Sequence, residues 1–365
     1  MSVPAQNTTV GFGLQAAEIG RGGTFTPGDV DFYKVRTVRS AAVPVQSQQV
    51  FPPELGGVLT PAGAYKDMAF FGGDADLLPR LEGSLGVLLK AALGDLATTT
   101  DEDSEGNAVT GMYAHTFKFA SDQSSLPFLA IRELVPQASG NFGITAHDCR
   151  VSSLRLTVPA MGKLAARVVF QGREFAFDDG SGWTWANATF EKFTSTPDAG
   201  SGFFKIAGTE YENVIGVQFE LNNGLTRPQD EMNVGDFFPG SSVPLQRAAT
   251  MRVVFRWQDD ELYRSLYTGA VDGTAFSPLP FIQETGGSNA FEMKFTTPED
   301  VAATTPTTPF GLHVIGNAIT WAAQPLELRG GGIVTQTCIA TLLTPTTGDY
   351  VNFILQNGND GTMYA

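Results

Sequence analysis

Residues 148–172 read DCRVSSLRLTVPAMGKLAARVVFQG, and no other stretch constrains the fold as strongly. Leu154, Leu156 and Val158 alternate with Ser153, Arg155 and Thr157. Beyond Pro159 to Gly162, Leu164, Ala166, Val168 and Phe170 alternate with Ala165, Arg167, Val169 and Gln171. A period of two puts the apolar set on one face of a strand and the polar set on the other. The Pro-to-Gly segment supplies the turn, so the spacing predicts a long antiparallel hairpin. Its wet face carries Ser153, Arg155, Arg167 and Gln171 and no catalytic pair. Such a face lines or covers something and does not react with it.

The same period recurs along the chain. Strands are expected within 32–50, at 64–71, 113–120, 127–135, 213–221, 249–257 and 291–297, and in GLHVIG, AITWAAQPLEL and GIVTQTCIATLL. One good helix is expected where Leu81, Leu85, Leu88, Leu89 and Ala92 share a face, with Pro79 near its start and Gly94 past its end. A shorter one follows Asp259, read as its N-cap, and stops at Gly269. With 41 Gly, 21 Pro and 27 Phe, the composition favours many short strands and turns over long helices.

The order strand, long loop, strand, helix, strands, hairpin occurs twice. Phe117 and Phe295, roughly 178 residues apart, mark equivalent strands. The expectation is a mainly β chain of two tandem β-sandwich or β-barrel domains, each with one flanking helix. Residues 1–30 read as an N-terminal arm, 31–175 as the first domain and 176–210 as a connector packed by its aromatics. Residues 211–345 read as the second domain and 346–365 as a C-terminal arm.

Several chemical motifs fail on inspection. GFGLQA (11–16) has the glycine spacing of a dinucleotide loop, but QNTTV is a poor strand before it and Gly20, Gly22 and Gly23 would break a helix after it. Asp101, Asp103, Glu105 and Gly106 open like a calcium loop, yet Met112 stands where the bidentate glutamate belongs. His115, His147 and His313 have no metal spacing, and no nucleophile motif accompanies His147-Asp148. The reading is a non-enzyme with no catalytic, metal or cofactor site. Cys149 and Cys338 sit inside strand patterns and read as two buried free thiols. MSVPAQNTTV has no basic and apolar leader pattern, and no apolar run approaches the roughly 18 residues of a membrane span, so no membrane partner is expected.

Positive signals come from the loops and the charge. Residues 51–63 and 222–247 are long loops at equivalent places, with Phe51, Leu55 and Leu59 on the first and Met232, Val234, Phe237 and Phe238 on the second. Apolar side chains on long loops mark contacts. Lys and Arg total 23 against 38 Asp and Glu, a formal charge of -15, which opposes tight nucleic-acid binding. A rival reading is a carbohydrate-binding β-sandwich on a virion or cell surface, with Trp183, Trp185 and Trp321 stacking on sugars.

Taken in order, GSLGVLLKAALG (83–94), YAHTFKF (113–119), LPFLAIRELV (126–135) and HDCRVSSLRLTVPAMGKLAARVVFQGRE (147–174) resemble the tail tube proteins of long-tailed bacteriophages. The match is good over about 30–175; residues 213–345 fit by arrangement, as a diverged second copy. The resemblance implies homo-oligomeric rings whose inner wall is a continuous β-barrel, a helix on the outer side of each domain, and a loop reaching the next ring. Two domains in one chain imply trimeric, pseudo-hexameric rings stacked into a tube in the virion tail, assembled in the host cytoplasm. Tail terminator, tape-measure and distal tail proteins are the further partners it implies. Double-stranded DNA would pass without tight binding, through a bore in which acids outnumber bases. Ser153, Arg155, Arg167 and Gln171 would then face the lumen or an interface, and the two long loops would join ring to ring.

Overall fold

In the computed structural model the hairpin lies at the centre of the larger of two antiparallel sheets. The structure describes residues 7–20, 22–41, 43–50, 63–120, 126–159, 161–187, 189–258, 260–270, 273–278, 281–284, 289–323, 326 and 332–364. The first half of the chain contributes β1 (Thr9–Gln15), β2 (Tyr33–Val35), β3 (Thr37–Ser40), β4 (Val43–Val50), β5 (Ala64–Leu77), α1 (Ser84–Leu93), β6 (Gly94–Glu102), β7 (Ala108–Phe119), β8 (Phe128–Gln137), β9 (Gly140–Pro159), β10 (Ala165–Gly172) and β11 (Glu174–Asp178). The second contributes β12 (Asp198–Ile206), β13 (Thr209–Glu210), β14 (Val214–Asn222), β15 (Ala248–Arg256), α2 (Glu261–Thr268), β16 (Phe281–Glu284), β17 (Phe291–Asp300), β18 (Pro309–Gly316), β19 (Ala318–Ala323), β20 (Thr335–Leu342) and β21 (Val351–Asn357).

The larger sheet repeats one motif. Side by side run β4, β5, β10 and β9, then β14, β15, β20 and β19. Each four-strand unit carries a hairpin whose second strand pairs with the second strand of the unit. The units join at β9 and β14, so both halves form one wall. Leu154, Leu156, Val168 and Phe170 of the hairpin are buried, as are Met251, Val253 and Phe255 on β15. The smaller sheet runs β13, β12, β17, β18, β21, β7 and β6, and it closes the core from the other side.

Three expectations need correction. The N-terminal segment is not an arm: β1 pairs along its length with β8, and Val10 and Phe12 are buried. The C-terminal segment is not an arm either. β21 lies between β18 and β7, with Val351, Phe353 and Leu355 buried. The connector carries β12, which pairs with β17. A chain that must cover two sheets and a helix draws on its ends to do so, because each exposed sheet face would otherwise leave apolar surface in water.

The helices also depart from the expected pair of outer covers. α1 is buried on nearly every side, because β1, β7, β9 and the C-terminal turn surround it. α2 keeps its place on the surface against β16 and β19. Its N-cap is Asp260, one residue later than expected, and Asp259 lies outside the described residues. Gly269 ends it in the left-handed conformation, as expected.

Gly86 shows what packing demands of α1. A Cβ there would intrude on the Tyr364 ring. Tyr364 is fully buried, edge-on to Phe117 at 5.5 Å and to His115 at 5.0 Å. Asn357 Nδ2 donates to its hydroxyl at 2.9 Å. Gly86→Ala is therefore expected to lower stability, although alanine gains about 1 kcal/mol of helix propensity. Thermal melting checks it; a raised melting temperature would mean that Tyr364 moves aside freely.

Candidate functional site: the wet face of the wall and its docked loop

The polar face of the wall is continuous. Asp76, Arg167, Arg155, Glu220, Thr250 and Thr341 follow one another rung by rung from β5 to β20. Arg155 Nη2 lies 2.7 Å from Glu220 Oε2, so the pair spans the joint between β9 and β14. Arg167 Nη2 lies 3.0 Å from Asp74, and Arg39 on β3 reaches both Asp74 and Asp76. Partly exposed pairs of this kind contribute at most about 1 kcal/mol each. Their consequence here is local neutrality.

Three carboxylates, Asp74, Asp76 and Glu220, meet five guanidiniums, Arg39, Arg155, Arg167, Arg252 and Arg256, on these rungs. Guanidiniums outnumber carboxylates on these rungs. Other wet positions carry hydroxyls and amides, such as Ser153, Thr157, Gln218, Thr250 and Thr341. Further acid sits at strand ends and the turns beside them, as in Asp101 to Glu105, Asp178–Asp179 and Glu210 to Glu212. Ser153 lies opposite Asn222 on the same face.

Gln171 has a different job. Its Nε2 donates to Thr226 O at 2.6 Å and to the Ser242 hydroxyl, both in the loop 223–247 between β14 and β15. Arg173 Nε donates to Pro239 O at 2.9 Å, and Arg150 donates to Ser242 O. Ala69 N donates to Phe237 O at 2.8 Å, and the Phe175 and Phe238 rings meet edge-on at 5.9 Å. At the loop's root, buried Asn223 donates to Ala92 O and Val151 O. The loop therefore lies against the first repeat. Met232 and Phe238 are half-buried, whereas Val234 is fully exposed and Phe237 is 61% exposed. Phe51, Leu55 and Leu59 lie outside the described residues.

Asp148 ties these parts together. Its backbone has φ +52° in the middle of β9, where the strand turns from one set of partners to the next. Its carboxylate accepts from Gln15 Nε2 at 3.1 Å, Ile19 N at 2.9 Å and Gly20 N at 3.1 Å, and Arg173 Nη1 lies 3.9 Å away. Burial opposes its charge, but hydrogen bonds from His147, Ile19, Gln15 and Gly20 hold its pKa below the ordinary value. Sequence reasoning singled out Gln171 on the wet face without its anchoring role, and it missed Arg150, Arg173 and the hub, whose only trace is His147-Asp148-Cys149 interrupting the strand alternation.

A second buried acid behaves oppositely. Glu191 accepts from Ser84 N at 2.8 Å and from the Ser84 hydroxyl, capping α1 from the connector. Burial pushes its pKa up to about 7. A carboxyl raised in the folded state stabilises fully below its unfolded pKa and loses that contribution as pH rises through about 7. The melting temperature of Glu191→Gln is expected to depend less on pH between about 5 and 8 than the parent's, by up to roughly 3 kcal/mol of linkage. Identical pH profiles would mean that Glu191 titrates normally.

The motifs set aside each have a structural place. β1 occupies GFGLQ, so the glycine pattern belongs to a strand. Asp103 accepts from the backbone of Glu105 and Asn107, and Glu105 pairs with Lys294. His115 is held between Thr98 and Asn357, and burial lowers its pKa. Among the described residues no group of His, Cys, Asp or Glu could hold a metal, and no helix is long and apolar enough to cross a membrane. Cys149 and Cys338 are buried free thiols. Of the candidate sugar platforms, Trp321 is buried in the core and Trp183 is engaged by Asp178 and Arg132.

A continuous sheet of two repeated strand sets, with ion pairs across its polar face and a docked loop with an apolar tip, describes a structural β protein. The family model for the phage tail tube protein matches residues 5–338, and the chain belongs to that family. No curated protein matches the chain. It is a structural component of the virion tail.

Proposed function

We propose that three copies close into a pseudo-hexameric ring and that the rings stack into the tail tube, a conduit for double-stranded DNA. The observation that carries this reading is the doubled four-strand motif, whose internal joint between β9 and β14 is already a strand-to-strand seam. Eight strands per chain give about 24 per ring at about 4.8 Å spacing. Tilted about 40°, they enclose a backbone barrel roughly 45–50 Å across, leaving roughly 35–40 Å inside the side chains. That passes a hydrated duplex about 20 Å wide.

The wet face lines the bore in this reading. DNA slides because that face offers few unpaired charges, not because it repels. Each free guanidinium adds a salt-dependent attraction to phosphate, and pairing of Arg39, Arg155 and Arg167 with carboxylates removes it. Arg252 and Arg256 have no carboxylate partner among the described residues. The two residue spans, 31–175 and 211–345, act as the two tube repeats. The loop 223–247 and its counterpart 51–63 meet the next ring, and tail terminator, tape-measure and distal tail proteins meet the tube and its ends. Assembly takes place in the host cytoplasm.

Negative-stain microscopy and mass measurement of concentrated protein test the reading. Rings or tubes with three copies per ring and a bore near the stated width are expected. A protein that stays monomeric at all concentrations would overturn it.

A further inference from the structure

A ring that closes through the wall brings its two rims together in different copies. On one rim β3 pairs only with β5, and on the other β16 pairs only with β19, among the described residues. Strand direction fixes what lies beside each rim. All four steps from β5 through β10, β9 and β14 to β15 are antiparallel, so β5 and β15 run the same way. β5 ends at Leu77, with Leu78 and Arg80 just beyond it; β15 ends at Arg256, with α2 just beyond it. A groove beside β3 and the helix beside β16 therefore sit at the same end of the wall, on opposite rims.

The groove lies between the β3 rim and the covering strands β1 and β8, and it holds about 730 Å³. Leu78, Val135 and Phe190 line it, and Val38 is 70% exposed in it. Three guanidiniums, Arg36, Arg39 and Arg80, share it with one carboxylate, Glu133. Arg39 is engaged by Asp74 and Asp76, and Glu133 accepts from the Ser40 hydroxyl. Arg36 is exposed and lies over the Phe190 ring at 4.7 Å. Arg80 is buried, and its Nε has no hydrogen-bond partner. The helix offers the complement. Leu262 and Leu266 pack on the core, which leaves Tyr263 and Tyr267 together on the helix flank, their rings 4.9 Å apart. Tyr267, Ile282 on β16 and Phe276 between them in sequence are exposed. Residues 260–268 carry two carboxylates, Asp260 and Glu261, against one guanidinium, Arg264.

We infer that α2 of a second copy packs into this groove where the ring closes. Tyr263 and Tyr267 cover Val38 and Phe190, and the acids at the start of the helix lie toward Arg36 and Arg80. Each surface has what the other lacks: exposed apolar area on both, surplus guanidinium on one and surplus carboxylate on the other. Tyrosine and arginine are also the side chains that most often anchor contacts between chains, because they bury large area and still find polar partners. The inference rests on the ring reading and adds to it which surfaces meet at the closing joint.

Val38→Cys combined with Tyr267→Cys in the full-length chain tests the contact. Both positions are exposed, whereas the native thiols of Cys149 and Cys338 are buried. A short bismaleimide added to assembled protein is expected to give a ladder ending at covalent trimer on denaturing gels, absent from either single variant. Arg36→Glu, at an exposed position, is expected to leave the monomer folded and to cut tube yield roughly tenfold or more, because the joint would then set carboxylate against carboxylate. Adding Glu261→Arg to the same chain is expected to restore most of that yield. The two positions belong to opposite rims, so the rescue acts between copies. Tubes whose cysteine pair does not link, or whose yield Arg36→Glu leaves unchanged, would overturn the junction and leave the tube reading standing. A double variant no better than Arg36→Glu would overturn the pairing of these charges. A parent protein that forms no rings would overturn the tube reading itself.

Discussion

Replacing Val234 and Phe237 together by aspartate is expected to abolish tubes while leaving the monomer's melting temperature within about 2 °C of the parent. Both side chains stand in water, Val234 fully and Phe237 at 61%. Exposed substitutions of this kind change stability by about 0.5 kcal/mol or less. What Phe237 gives the fold is its carbonyl, which accepts from Ala69 N and survives the change. An apolar tip on a fixed loop has value only when another surface covers it. Two carboxylates on each of three tips would place unpaired charge in every ring-to-ring contact of the proposed tube. Sedimentation and microscopy check this, and tubes at parental yield would mean that the loop is not the axial joint. Deleting residues 225–244 is a poorer test. It would strip carbonyl acceptors from the buried guanidiniums of Arg150 and Arg173, so folding would suffer along with assembly.

The hairpin was legible because residues 153–159 and 164–171 keep a period of two with one face buried. β21 carries the same signal in Val351, Phe353 and Leu355, but its place at the end of the chain read as an arm. β1 was hidden by Gly11 and Gly13, which lower strand propensity. Gly11 is needed because the Trp185 ring lies where a side chain would project. β6 escaped because Gly94 ends α1 and begins the strand at once, leaving no polar spacer to announce it. The wet face was legible residue by residue but not in its charge balance. Pairing such as Arg155 with Glu220 depends on which strands become neighbours, and that is a property of topology. The loop's docking was invisible for a related reason. Gln171, Arg173 and Arg150 bind backbone carbonyls, and a carbonyl leaves no mark in a sequence.

Asp148→Ala is expected to be the most damaging single change to the fold, costing about 3 kcal/mol or more and lowering the melting temperature by roughly 5–10 °C. Two effects add. Alanine at φ +52° sits in the left-handed region without the local hydrogen bonding that favours Asp or Asn there. The loss of the carboxylate also leaves Gln15, Ile19 N and Gly20 N without their acceptor and Arg173 without its nearby charge. Because Arg173 also holds Pro239 O, the damage should spread from the N-terminal segment into the loop. Amide exchange at Ile19 and Gly20 is expected to quicken at least about tenfold, and exchange in residues 237–242 to quicken with it. Asp148→Asn separates the causes: it tolerates the backbone and keeps one acceptor, so its loss should be smaller. The pH dependence has a fixed sign. A depressed carboxyl stabilises above the ordinary aspartate range and loses that contribution as pH falls through its folded pKa, so parent and Asp148→Ala should converge in stability in acid. A constant gap between them down to strongly acid pH would assign the whole cost to backbone strain, and unchanged exchange in 237–242 would uncouple the hub from the loop.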